Sequence, residues 1–431
     1  MIYQPEIECA SREEIEAMQL ANLKDTIQRC YNQVPHYKKK FGEIGLKPED
    51  IQSLADLAKI PFTVKDDLRD NYPYGMFAVP LRDVVRIHAS SGTTGTPTVV
   101  GYTQKDLEVW ATLIARLAVM AGASADDVAQ IAFGYGMFTG ALGLHYGLEK
   151  LGCTIVPVSA GNSERQIKFM KDFGTTLLIS TPSYALYLND VMEQMGIDPK
   201  TDLKLRIGMF GGEGITDAMD QEIQDRMGIL PTGNYGLSEV MGPGVSGECE
   251  HKAGLHVCED SFILEIIDPH TGEVLPMGAE GELVISSITR EALPILRYRT
   301  RDITHLIPEK CACGRTSIRM AKIKGRSDSM LIIRGVNVFP SQIEEVLMQM
   351  TDVAPHYEIV VRREGRLDVL EVLVEVSNKK MLESFAELEQ LENKIRKNLK
   401  GMIQVDAKVK LVEPHTLKRF EGKSKRVTDL R

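Results

Sequence analysis

The sequence predicts an α/β protein of two domains, a large N-terminal α/β domain followed by a small α+β domain. Three observations carry that reading. Short apolar runs alternate with helical stretches from residue 84 to residue 286, the pattern switches after Gly325 to a compact set of strands and helices, and 431 residues are many for one core. The boundary is set between residues 326 and 327, giving domains of 1–326 and 327–431.

Each element has its own signal. Ser11 and Glu14 form a capping box for a first helix, in which Leu20, Leu23, Ile27, Cys30 and Val34 recur at steps of three and four until Pro35 ends it. Strands are predicted at 84–88, 128–133, 153–158, 177–180, 206–210, 263–267 and 283–286. Helical patterns at 165–173 and 184–195 lie between several of them, as the crossover units of an α/β sheet do. The turn signal Asp268-Pro269-His270-Thr271-Gly272 suits antiparallel hairpins for the last strands. The second domain reads as strand 330–333, helix 341–350, strands 359–363 and 369–376, helix 381–400 and strand 407–412. No internal repeat appears, which excludes a solenoid.

Composition narrows the function classes. With 43% hydrophobic and 26% charged residues the chain is globular rather than disordered. Its net charge of -9 argues against a broad nucleic-acid surface. The start, MIYQPEIECASREE, has no basic stretch and no apolar core of a signal peptide, so a cytoplasmic location is expected. The longest apolar region, 112–123, is too short to span a bilayer and carries Arg116, so no membrane association is expected. Seven cysteines in a reducing compartment read as buried thiols or metal ligands rather than disulfides.

The strongest local signal is Ser90-Ser91-Gly92-Thr93-Thr94-Gly95-Thr96-Pro97-Thr98, directly after the predicted strand 84–88. Glycines let a backbone approach an anion closely and the hydroxyls can donate to phosphate oxygens, so the loop suits a nucleotide triphosphate. It lacks the lysine of a Walker A loop. The alternative is a polar surface turn. A second glycine pattern, Gly134-Tyr135-Gly136-Met137-Phe138-Thr139-Gly140, has its third glycine one residue late for a dinucleotide fold. Its aromatics beside Ala141 and Gly143 can instead line a slot for a flat apolar substrate, or the segment is simply a packed helix start.

These motifs, with Tyr235-Gly236-Leu237-Ser238-Glu239, Tyr298-Arg299-Thr300-Arg301-Asp302, Gly325-Arg326-Ser327-Asp328, residues 332–340 and Glu421-Gly422-Lys423, fall in the order of the adenylate-forming ligases. The sequence resembles the phenylacetate-CoA ligase family in particular, over nearly its whole length. The resemblance implies the large N-terminal domain and small mobile C-terminal domain of adenylate-forming enzymes. It also implies ATP-dependent activation of an aryl carboxylic acid to an acyl-adenylate, then transfer to coenzyme A with release of AMP. Indoleacetate, benzoate or a carrier-bound thiol remain alternatives within that chemistry. A non-catalytic nucleotide-binding protein is the alternative outside it, and would need neither Lys423 nor a hinge.

Roles carry over by motif. Lys423 is implied as the ammonium that reaches the α-phosphate and the attacking carboxylate. Read alone, the basic stretch 415–431 around it is a solvated tail. Glu239 is implied as a Mg²⁺ ligand. Ser90, Ser91, Gly92, Thr93, Thr94, Gly95 and Thr96 are implied on the phosphates, with Gly236, Ser238 and Arg326 also at the nucleotide. Gly211, Gly212, Glu213 and Tyr235 resemble the adenine wall. Asp302 resembles the ribose-binding carboxylate, its alternative being an ion pair with Arg299 or Arg301. Asp328 matches the hinge and Gly335 the glycine beside the pantetheine arm, although Asn337 stands where several acyl-CoA synthetases have Arg. Tyr135, Phe138, Ala141 and Pro243 are the candidates for the aryl acid pocket, and a homodimer is expected.

Cys311-Ala312-Cys313-Gly314 is a short knuckle whose two sulfurs can face one centre, and two more ligands would close a tetrahedral zinc site. Cys249, His251, His256 and Cys258 are the nearby candidates. The resemblance implies Cys249 and His256, which makes a structural Zn²⁺ of four protein ligands; unrelated buried thiols are the alternative.

Overall fold

In the computed structural model, the structure describes residues 1–90, 96–327, 331–333, 336–364, 367–378, 384–419 and 426–431. The first helix spans Arg12–Gln33, with Ser11 and Glu14 closing the capping box and Leu23, Ile27 and Cys30 buried along one face. Among the described residues the largest sheet has nine strands. Their order is Leu306–Ile307, Arg319–Met320, Leu255–Val257, Gly242–Glu248, Leu230–Leu237, Ile207–Phe210, Leu177–Ser180, Val128–Ile131 and Thr154–Val156. The last five are parallel, joined through helices that include Ser163–Phe173 and Pro182–Gln194. Leu177–Ser180 and Ile207–Phe210 are buried at every position, which suits their sequences, apolar except for Ser180, whose hydroxyl donates to the Thr181 carbonyl.

The strands Leu230–Leu237 and Gly242–Glu248 were not expected, because their sequences, LPTGNYGL and GPGVSGE, read as turns. Packing demands those glycines. A Cβ on Gly236 would lie 2.0 Å from the Gly242 carbonyl oxygen, and one on Gly242, whose φ is +122°, would lie 2.4 Å from the Trp110 ring. The predicted strand 84–88 is a second departure. Arg86–Ala89 does not join the parallel sheet but pairs antiparallel with Val99–Tyr102 in a two-stranded ribbon. Ser90 and Thr98 close its tip: the Ser90 amide donates to the Thr98 carbonyl and the Thr98 amide to the Ser90 hydroxyl, both at 3.0 Å.

A four-stranded antiparallel sheet follows, in the order Phe262–Ile267, Gly281–Ser287, Tyr298–Thr304 and Gly325–Arg326. The apolar region 112–123 falls mostly in the buried helix Gln104–Met120, where Arg116 forms a forked ion pair with Asp260 at 2.6 and 3.1 Å. Among the described residues no helix is long and apolar enough to cross a membrane.

The C-terminal unit has its own core, built from the sheet Ala407–Val412, Leu367–Val376, Val353–Glu364, Val427–Asp429 and the helices Pro340–Met348 and Phe385–Ile403. The basic end of the chain is not a solvated tail where it is described. Val427–Asp429 pairs parallel with Val353–Glu364, Arg419 makes a forked ion pair with buried Glu375 at 2.8 and 2.7 Å, and Arg426 pairs with Glu344. Part of the basic charge is therefore neutralised inside this unit rather than offered to a ligand.

Candidate active site

Three segments meet at the tip of the ribbon. The Met137 carbonyl accepts from His88 Nδ1 at 3.1 Å and from the Ala89 amide at 3.0 Å, which ties the glycine segment 134–140 to the loop stem. The Thr139 and Ser238 hydroxyls are 2.8 Å apart, which ties the same segment to the end of Leu230–Leu237. The stem residue Ser90 and Ser238 are thus linked through the 137–139 segment, and Thr96 is exposed; Ser91, Gly92, Thr93, Thr94 and Gly95 lie outside the described residues.

Glu239 follows in the same turn and is 8% exposed. Lys65 Nζ stands 3.5 Å from its Oε1, and Tyr298 bonds to its carboxylate. Burial first, then the Glu239 charge, pushes the Tyr298 phenol well above its ordinary range, so it remains a proton donor. Arg290 is fully buried and donates to the Glu239 carbonyl at 2.9 Å and the Gly101 carbonyl at 3.1 Å, with its guanidinium 4.6 Å over the Tyr102 ring. It thereby fixes the spacing between loop stem and Glu239. Motif reading missed Lys65, His88 and Arg290, which lie outside every motif and have no spacing signal.

Asp302 Oδ2 accepts from the Tyr235 hydroxyl at 2.6 Å, and Oδ1 from Arg326 at 3.2 Å. Burial and the adjacent Asp302 charge raise the Tyr235 phenol well above its usual value. Arg299 and Arg301, the sequence-based alternative partners, bond instead to Glu282 at 2.7 and 3.4 Å. Register explains it: Asp302 stands directly opposite Arg326, while the two arginines meet buried Glu282 across a bulged stretch of the pairing in which Arg301 has a φ of +68°. Gly211, Gly212 and Glu213 follow the strand Ile207–Phe210, and Glu213 accepts from the Ser183 amide at 2.8 Å. A cavity of about 40 Å³ opens here, lined by Phe210, Glu213, Asn234, Tyr235, Leu255 and Ile323 among others.

Of the acid-pocket candidates, Tyr135 and Phe138 lie on the glycine segment, Ala141 in the helix that follows it and Pro243 on the strand Gly242–Glu248. The Tyr135 hydroxyl bonds to His145 Nδ1 at 3.0 Å, Ala141 is buried, and the Phe138 ring is exposed. Pro243 pairs in register with Gly236, and its carbonyl accepts from Trp110 Nε1 at 2.7 Å. A Cβ at Gly134, Gly136 or Gly140 would meet nothing within 4 Å, so this segment faces open space. Lys423, Asp328 and Gly335 lie outside the described residues.

Farther along the large sheet, the donor atoms of Cys249, His256, Cys311 and Cys313 lie within 4.8 Å of one another. Cys249 and Cys311 Sγ are 3.7 Å apart, and Cys313 Sγ is 3.4 Å from His256 Nε2. A tetrahedral zinc with Zn–S bonds of about 2.3 Å has S···S edges of about 3.8 Å and S···N edges of about 3.6 Å, so the donor set fits. His256 Nδ1 bonds to the Ser317 hydroxyl at 3.1 Å, which orients the ring. Burial, helped by Arg315 and Arg319, pushes the imidazole down to about 3, which keeps it neutral at pH 7 as a ligand must be.

Residues 40–289 match the AMP-binding enzyme family and residues 335–431 the AMP-binding enzyme C-terminal domain. The chain is 53% identical to the phenylacetate-coenzyme A ligase of Aromatoleum evansii over 99% of its own length and 96% of that protein's. It is 48% identical to the phenylacetate-coenzyme A ligase of Escherichia coli K12, over 99% and 97%. Among solved structures it is similar to a 2-hydroxyisobutyryl-CoA ligase in the postadenylation state in complex with 2-HIB-AMP, with 28% identity, a TM-score of 0.94, and 99% and 92% of the two chains covered. The same ligase with 2-HIB-AMP and CoA in its thioesterification state gives a TM-score of 0.73, at 28% identity and coverage of 99% and 91%. With identity near one half over essentially the full length, and with both AMP-binding regions present, the chain belongs to the phenylacetate-coenzyme A ligase family of AMP-binding enzymes.

Proposed function

We propose that the protein activates an aryl carboxylic acid, phenylacetate first, with ATP to an acyl-adenylate and pyrophosphate, and then transfers the acyl group to coenzyme A with release of AMP. The observation that carries this reading is the chain of contacts from the loop stem through Met137 and Thr139 to Ser238, next to Glu239, with Tyr298 between Glu239 and the Tyr235–Asp302–Arg326 set. Asp302, held by a phenol and a guanidinium, is a fixed carboxylate able to accept from the ribose hydroxyls. Gly212, Glu213 and Tyr235 bracket the base, and Gly236, Ser238, Ser90 and Thr96 stand on the phosphate side. Glu239 is a hard oxygen donor for the Mg²⁺ that accompanies a triphosphate; one protein carboxylate plus phosphate oxygens is the usual way that ion is held. The open space beside Gly134, Gly136 and Gly140 suits a flat ring next to Tyr135 and Phe138, with Ala141 and Pro243 behind it.

Asp328 and Gly335 are assigned to the hinge and the pantetheine side by their motifs, and Lys423 to the adenylation step. The domain boundary between residues 326 and 327 is supported by the separate cores, one ending at Met320 and the other beginning at Leu331. Cys249, His256, Cys311 and Cys313 would hold a structural zinc, which supplies cross-linking of strands and no open coordination position for chemistry. A cytoplasmic homodimer completes the reading.

The deciding experiment is pyrophosphate release over a panel of phenylacetate, indoleacetate, benzoate and aliphatic acids, with and without CoA. Release that depends on phenylacetate, with thioester formed only when CoA is present, is expected; no acid-dependent release would overturn the proposal. For Asp302→Ala we expect the KM for ATP to rise roughly tenfold or more, since a charged acceptor of two hydroxyls is lost. An unchanged ATP KM would remove Asp302 from the ribose site.

A further inference from the structure

His356 lies in the C-terminal unit, and the ladder between Val353–Glu364 and Leu367–Val376 shifts register between Val353 and Tyr357. A bulge of that kind re-aims a side chain out of the regular pleat. Pro355 beside it has no amide hydrogen to return to the ladder. His356 Nε2 reaches Asp190 Oδ2 at 3.1 Å, on the helix Pro182–Gln194 of the N-terminal domain. Both side chains are mostly buried, at 15% and 19% exposure.

Asp190 does not depend on that contact for its charge. Its Oδ1 accepts from Arg226 at 2.6 Å, and Arg226 also binds Glu193 at 2.9 Å and Glu222 at 3.1 Å. If the C-terminal unit turns away, Asp190 keeps Arg226 and no orphaned charge is left behind, so the contact can be broken and remade at low cost. Met348 of the same unit packs against the apolar cluster that holds Met219 and Ile223, beside this ion pair. The arrangement of the two units is that of the postadenylation state, because one ligase gives 0.94 in that state and 0.73 in its thioesterification state.

We infer that His356 is a positioning residue for adenylation, a latch to Asp190 that holds the C-terminal unit in the acyl-adenylate-forming placement and lets go for thioester formation. The inference rests on the two-step reading above. It acts through placement, since among the described residues His356 touches none of those assigned to the substrates.

The test uses the full-length protein and His356→Ala, with His356→Gln as the conservative variant that can still donate. Losing one charge-assisted contact shifts a two-state equilibrium by roughly tenfold. Acid-dependent pyrophosphate release should therefore fall, by up to about tenfold, in His356→Ala, recover in part in His356→Gln, and leave the conversion of supplied phenylacetyl-adenylate plus CoA undiminished. Distances between spin labels carried by unnatural residues at exposed Glu149 and Lys397 should move away from the wild-type distribution in His356→Ala. Equal loss in both half-reactions, or an unmoved distance distribution, would overturn the latch. Absence of acid-dependent pyrophosphate release in the wild type would overturn the ligase reading instead, and the spin-label distances would still decide whether His356 holds the two units together.

Discussion

Replacing Lys423 with alanine is expected to reduce acid-dependent pyrophosphate release by roughly two to three orders of magnitude, the usual cost of removing one well-placed donor to developing charge. The conversion of supplied phenylacetyl-adenylate plus CoA should survive almost intact, because that step needs the C-terminal unit in its other placement. Two of the described charges in the same basic segment are already committed. Arg419 and Arg426 are paired with Glu375 and Glu344 and serve the fold of the unit. Equal loss in both steps would contradict a lysine that acts only in the first. Single-turnover measurements of each half-reaction decide between the two.

The second large effect concerns zinc. Protein purified without added metal should contain about one equivalent by elemental analysis. Cys311→Ser should abolish it and cost at least about 3 kcal/mol of stability, read as a lowered unfolding midpoint. The reason lies in what the four ligands join. Cys249 follows the strand Gly242–Glu248, His256 lies within Leu255–Val257, and Cys311 and Cys313 belong to the loop that leads to Arg319–Met320. Without metal, Cys249 is a buried thiol pushed up to about 12, a poor substitute for a coordinated thiolate. Leu255, next to His256, lines the cavity beside Tyr235, so loosened strands should also weaken nucleotide binding. A well-folded protein free of zinc, with an unchanged unfolding midpoint in Cys311→Ser, would reject the site.

Legibility followed the length scale of each signal. The capping box at Ser11, the apolar strands Leu177–Ser180 and Ile207–Phe210 and the amphipathic helix Ser163–Phe173 are set by residues a few positions apart, and they stand where expected. The strands that carry the site were missed. Leu230–Leu237 and Gly242–Glu248 are strands because glycine alone fits against Trp110 and the neighbouring backbone, and a reading based on apolar alternation sees only turn residues there. The motifs on those strands were nevertheless found, because a motif is a fixed order of adjacent residues and needs no secondary-structure assignment. Lys65, His88 and Arg290 had no such order to betray them.

By itself the sequence determined the two-domain order, the family resemblance and the candidate residues, since these depend on neighbours in the chain. Only the tertiary structure decided partners. It set Arg326 rather than Arg299 or Arg301 against Asp302, and it gathered Cys249 and His256 with Cys311 and Cys313. It also carried His356 across to Asp190, 166 positions away in the chain. Charges and metal donors interact over a few ångströms, and which groups come that close is fixed by strand register and packing between elements distant in sequence.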